Sequence, residues 1–184
     1  PWSNPQVMPT PGQYDAEGNL TAPPDFTSWD EWVARWQGAQ HWGLFPSVRD
    51  NFAGEPMGTP RFNKMVGAWA TAWVKHAQGQ GIEPSQIKIL LVDEPRADKQ
   101  DKTIIAWARA LHAAQPELKV WNDPVHEDPA KVDPGATAAQ AIGLADPDAI
   151  GWCEDAEVAL KPWIPAGYFF VYDASGEAPL GMRE

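Results

Sequence analysis

The chain has 184 residues, 43% of them hydrophobic and 21% charged, and a formal net charge of -11. That length suits one domain or a large part of one. The acidity argues against a nucleic-acid or anionic-membrane partner, since both need a basic face, and it fits a neutral or cationic substrate.

The opening stretch, "PWSNPQVMPTPGQYDAEGNLTAPPDF", is rich in Pro, Gly and Asn and predicts a short strand at residues 6–8 followed by a long loop. Ser28, with Glu31 three residues later, predicts a capping box. The helix "WDEWVARWQGA" follows, with Trp29, Trp32, Val33 and Trp36 recurring at three- and four-residue spacing. "HWGLFPSV" then reads as a strand, "RDNFAGEPMGTP" as a Gly/Pro loop, and "RFNKMVGAWATAWVKHAQGQG" as a long amphipathic helix stopped by Gly79 and Gly81. "IKILLV" is a strand.

The second half repeats the alternation. "DKQDKTIIAWARALHAAQP" predicts a helix ending before Pro116, "LKVWND" a strand, "PVHEDPAKVDPG" a loop and "ATAAQAIGLA" a short helix. "AIGWC" is a strand, "DAEVALKPW" a short helix and "YFFVY" the last strand. The apolar runs are continuous rather than alternating, as in strands buried on both faces of a parallel sheet. Alternation of this kind implies βαβ units, about six strands and about five helices in all. A closed (β/α)8 barrel has eight of each, in about 250 residues. The pattern therefore leaves two architectures, an open doubly wound sheet or an incomplete barrel. No Gly-rich phosphate loop follows any strand, which weakens a nucleotide-binding version.

In parallel α/β folds ligands meet the carboxyl ends of the strands. Those ends here carry Arg49, Asp50 and Asn51; Asp93, Glu94 and Pro95; Trp121, Asn122 and Asp123; Trp152, Cys153, Glu154 and Asp155; and Tyr172 and Asp173. One polar strand end is ordinary helix capping. Five ends that each bring a carboxylate point to a site. Asp93 and Glu94 are the sharpest signal within it. Pro95 pushes Glu94 toward an extended conformation and ends ladder pairing, so both carboxylates can border one cleft. Two close carboxylates resist joint ionisation, and a carboxylic acid kept protonated beside an ionised partner is what general acid catalysis of glycoside cleavage needs. The bland alternative makes Asp93 a helix cap and Glu94 a surface partner of Arg96.

The run "GIEPSQIKILLVDEPRADKQDKTIIAWARALHAAQPELKVWND" resembles the catalytic region of glycoside hydrolase family 123, which are N-acetyl-β-galactosaminidases, and is similar to the related domain of unknown function 4091. The resemblance implies a (β/α)8 TIM-barrel-like fold, here of about six βα units in a single domain over residues 1–184. It implies Glu94 as proton donor and Asp93 as the group that orients the substrate's own 2-acetamido nucleophile. It also implies that missing barrel strands come from the rest of a longer parent chain.

Other rim residues take supporting roles. Trp121 and Trp152 offer sugar-stacking walls, although most of the 11 Trp should pack the core. Asn122 and Asp123 can hydrogen-bond sugar hydroxyls. Tyr172 can hold an acetamide oxygen, by analogy with substrate-assisted hydrolases. Arg49 and Glu154 complete the candidate binding set. The partner expected is an N-acetylated sugar or glycan. His41, His76, His112 and His126 are scattered without metal-ligand spacing, so no metal and no cofactor are expected. A single cysteine, Cys153, excludes an internal disulfide and a cysteine-built zinc site. No run of about 18 apolar residues offers a membrane span. The chain carries no signal peptide and opens at Pro1, which reads as a processed chain or a fragment and is compatible with export.

Two other readings fit the same residues. One is a retaining two-carboxylate glycosidase, with Glu94 as acid and Glu154 as nucleophile. Asp93 then stands where such enzymes usually place an Asn, which counts against it. The other is a non-catalytic carbohydrate-binding or scaffold barrel.

Overall fold

The computed structural model describes residues 1–93, 95 and 98–121. Trp2 makes a single parallel bridge to Gly43. The strand expected at residues 6–8 is instead a 3-10 turn, Pro5–Val7. Local bonds explain the difference, because the Asn4 side chain accepts the Gln6 N–H at 3.1 Å and no ladder partner is needed. The loop expected next holds a hairpin of β1 (Gln13–Tyr14) and β2 (Leu20–Ala22). The Asp15 carboxylate closes its turn, accepting the backbone N–H groups of Glu17 and Asn19 at 3.1 and 2.7 Å.

Helix α1 spans Thr27–Ala34. The expected Ser28–Glu31 capping box is not what starts it. The Asp25 carboxylate accepts the Thr27 N–H at 2.9 Å and the Thr27 hydroxyl at 2.7 Å, so the chain turns into the helix earlier. Trp29 and Trp32 are buried, but the helix stops at Ala34 and leaves Trp36 outside the apolar stripe, 48% exposed.

Strand β3 (Trp42–Leu44) follows. The Gly/Pro loop after it contains a second hairpin, β4 (Asn51–Phe52) and β5 (Glu55–Pro56). Its turn residues Ala53 and Gly54 have φ of 50° and 84°, the pattern of a tight primed turn. Helix α2 spans Pro60–Gly79, with Pro60 in its first turn. The Thr59 hydroxyl oxygen accepts the Phe62 N–H at 3.0 Å to cap it. Gly81, at φ 79°, follows as the chain leaves the helix. Strand β6 (Ile87–Leu90), helix α3 (Asp98–Ala114) and strand β7 (Lys119–Trp121) complete the described fold. The elements expected after residue 122 lie outside the described residues.

The central sheet has the order β3-β6-β7, with both pairs parallel. β6 takes one edge of β3, and the Trp2 bridge takes the other, where Ser3 N–H donates to the Gly43 carbonyl at 2.9 Å. Spatial order therefore follows chain order. Trp42, Leu44, Ile87, Ile89 and Val120 share one buried cluster with Trp29 of α1, Phe62, Trp69 and Trp73 of α2, and Ile104, Trp107 and Leu111 of α3. α2 and α3 lie close: a Cβ built on Gly67 would stand 3.2 Å from the Ala114 Cβ, and the Gln115 amide donates to the Thr71 hydroxyl at 3.0 Å.

Leu90 and Trp121 form a smaller cluster with Phe45, apart from the helix-facing core. By strand alternation Lys88 shares the face of Leu90, and it is 5% exposed. β6 is thus buried along its whole length. No described helix is long and apolar enough to cross a membrane.

Candidate functional site

The site is built where β3 and β6 end. Beyond β3 the chain passes Ser47, which holds a φ of 52°, and returns so that the Val48 N–H donates to the Leu91 carbonyl at 3.0 Å. That bond carries the strand pairing past the regular sheet. It sets residues 48–50 beside residues 91–93. Between them and the start of α3 opens a cleft of about 430 Å³, bordered by Val48, Arg49, Asp50, Val92, Lys99 and Thr103. The volume is enough for a small ligand.

Two bonds hold the walls. The Trp107 indole Nε1 donates to the Arg49 carbonyl at 2.8 Å, so α3 fixes the backbone of the β3 loop while leaving the Arg49 side chain exposed. Lys99 Nζ lies 3.2 Å from Asp50 Oδ2. The hydrogen bond from Lys99, joined by one from Asn51 and by the Lys99 charge, holds the Asp50 carboxyl below the usual carboxylate range. Asp50 is therefore an ionised wall group rather than a proton donor.

Asp93 directly follows the cleft residue Val92 and is exposed at the same rim. Compared with known protein families and with curated proteins, the chain matches none. The resemblance around "DEP" accordingly rests on its own residues.

The fold brings Arg49 and Asp93 to one rim. Trp121, at the end of β7, is only 9% exposed and packs with Leu90 and Phe45. Its ring meets Trp2 edge-on at a centroid distance of 5.9 Å. The open aromatic surface there belongs to Trp2, which is 51% exposed. Glu94, Asn122, Asp123, Trp152, Glu154 and Tyr172 lie outside the described residues.

Sequence reasoning missed Trp2 and Lys99. The signal for Trp2 is its pairing with Gly43, since a Cβ there would come within 2.6 Å of the Trp2 ring. Only a glycine lets the ring lie against the strand. Lys99 sits in a charged run that reads as a solvated helix start. Among the described residues no group of three or more His, Cys, Asp or Glu side chains gathers in metal-binding fashion. The arrangement offers hydrogen-bond donors from Arg49 and acceptors from Asp93, beside an open cleft. That suits a ligand bearing both hydroxyl and amide groups.

Proposed function

We propose that the chain forms the catalytic part of a glycoside hydrolase acting on N-acetylated hexosamine glycosides, on a (β/α)8-type barrel, with retention assisted by the substrate's acetamido group. The observation that carries this reading is the position of Asp93, first residue of the Asp-Glu-Pro run. It stands at the carboxyl end of the middle strand of a parallel sheet that runs in chain order. Chain-order winding, with α1, α2 and α3 contributing to one helix-facing core, supports a barrel over a doubly wound sheet. The rim cleft beside Asp93 supports a ligand site there.

In the proposed reaction Asp93 stays ionised and accepts a hydrogen bond from the acetamide N–H. This turns the acetamide oxygen toward the anomeric carbon. As that oxygen attacks, the bond to the leaving group breaks, and Glu94 gives its proton to the departing oxygen. The cyclic intermediate is then opened by water, whose proton returns to Glu94. Intramolecular attack replaces a bimolecular encounter and can contribute several kcal/mol, on the order of the effective-molarity gains of oriented reactants.

The test is an assay of the full-length protein on matched aryl 2-acetamido and 2-hydroxy glycosides. Cleavage of the first alone, lost in Asp93→Asn, is expected. Equal rates on both, or a covalent glycosyl adduct trapped on Glu154, would replace this mechanism by the two-carboxylate one. The exposure of Trp2 and Trp36, 51% and 48%, favours a second reading, a sugar-binding barrel without turnover. Saturable sugar binding with no hydrolysis of either substrate selects it.

A further inference from the structure

A second depression lies at the opposite, amino-terminal end of the sheet. It has a volume of about 560 Å³, and its border runs from Asp30 and Trp36 through Gln37 and Gln40 to Gln80, with Trp42 at the start of β3 among its lining. Three features distinguish it from an accidental groove. Trp36 is the one aromatic of the α1 periodicity that the fold leaves out of the core, 48% exposed, and it lines this depression. Among the described residues the remaining border is rich in side-chain amides and contains no lysine or arginine. Gly38, at φ 84°, carries the border through a left-handed turn that favours glycine, and the space beside it is open, with no atom within 4 Å of where a Cβ would stand.

The free hydrogen-bonding capacity can be counted. Gln80 is engaged at both ends: its Oε1 accepts the Trp29 indole N–H at 2.8 Å, and its Nε2 donates to Asp30 Oδ1 at 2.8 Å. Asp30 Oδ1 also meets His76 Nε2 at 2.6 Å, and both of these bonds fall on the same oxygen, leaving Oδ2 to accept. Gln40 uses one Nε2 N–H on the Gly38 carbonyl at 3.1 Å, leaving the other N–H and Oε1. Gln37 is exposed and brings an amide that can donate and accept. The border therefore offers one flat aromatic face and a mixed set of neutral donors and acceptors, with a single carboxylate already held by two partners.

From this we infer that the amino-terminal depression is a binding site for a neutral pyranose sugar, stacked on Trp36 and hydrogen-bonded by Gln37, Gln40 and Asp30. An anion finds no lysine or arginine among the described residues of the border. A ring with an apolar face and a hydroxylated edge matches both the indole and the amides. The site is separate from the rim cleft. It stands whether or not the rim carries hydrolysis.

The test is titration of the full chain, with its tryptophan indoles isotope-labelled and assigned through single Trp→Phe variants. The probes are N-acetylglucosamine and maltotriose, with choline and sulfate as charged controls. The Trp36 indole resonance should shift saturably with a neutral sugar. Trp36→Ala should weaken binding at least about tenfold, roughly the effect of losing one good aromatic contact. The exposed position of Trp36 leaves the thermal midpoint nearly unchanged. Trp42 serves as an internal reporter, because its Nε1 is buried beside the depression without a hydrogen-bond partner. No shift at Trp36 with either sugar, a response to choline or sulfate instead, shifts confined to Trp2 and Trp121, or undiminished binding in Trp36→Ala would each overturn the assignment. Hydrolytic activity is measured separately, so failure here and failure of the rim mechanism are told apart.

Discussion

The Trp107 indole donates to the backbone carbonyl of Arg49 at 2.8 Å, tying the middle of α3 to the loop that leaves β3. The same ring packs edge-on against Phe52 and Phe62 at centroid distances of 5.5 and 5.3 Å. Trp107→Phe keeps most of that packing and removes the donor. It should destabilise the fold by about 1–3 kcal/mol, because the Arg49 carbonyl loses its partner at a partly buried position. Denaturant unfolding gives the magnitude. Hydrogen exchange around residues 48–50 shows whether the rim loosens as well.

Glu94→Gln keeps shape and removes the transferable proton. On the proposed mechanism, activity toward a substrate with a poor leaving group should fall by about 10²–10⁴-fold, while a highly activated aryl leaving group should suffer much less. Steady-state rates on the two substrates decide it. Equal losses would place Glu94 outside the acid role.

Gly43→Ala introduces a Cβ within 2.6 Å of the Trp2 ring and 3.3 Å of the Pro1 carbonyl. The ring must move off the strand. The N-terminal bridge should open at a cost of about 1–3 kcal/mol, the usual range for overpacking. Faster exchange of the Ser3 and Gly43 amides, with little change in the α2 amides, is the expected signature.

Glu55 joins the second hairpin to α2. Its carboxylate accepts from the Thr59 hydroxyl at 2.6 Å and from the Arg61 guanidinium. Arg61 in turn donates to the carbonyls of Ala16 and Asp15 at 3.0 and 2.9 Å, reaching the first hairpin. The Thr59 and Arg61 hydrogen bonds hold the Glu55 carboxyl below its ordinary value of 4.5. A depressed folded value means stabilisation that is complete above the unfolded value and is lost as pH falls through the folded one. Stability should therefore decline below about pH 4.5, with Asp15, Asp25 and Asp50 contributing in the same direction. Glu55→Gln should start from lower stability at neutral pH and show a shallower acid slope, read from thermal midpoints across pH.

The long elements were legible because burial imposes a period. Phe62, Met65, Val66, Trp69, Trp73 and Ala77 repeat on one face of α2, and the apolar run before Asp93 gives β6. The two hairpins were not. Strands of two or three residues carry no period, and the turn in "FAGE" uses Ala53 at positive φ where an Asn would have signalled it. Trp36 continued the three- and four-residue spacing on paper, but the period does not say where a helix stops. Arg49 and Asp93 stood out in the sequence by their places at strand ends. The cleft that Arg49 and Val92 line was not legible, since it depends on the return of the chain at Val48 to bond Leu91.

The chain-order arrangement of the sheet bears on how the protein comes to be folded. In the described central sheet β3 pairs with β6 and β6 with β7, each across a segment that holds one long helix, so these loop closures join strands that follow one another in the sheet. On the ribosome the Trp2 segment, β3 and β6 can associate as they emerge, before β7 is synthesised. Among the described residues, no strand of this sheet has to be inserted between two that are already paired. Each of the described strands needs only the exposed edge of its predecessor in the sheet, and it leaves a fresh edge for the next.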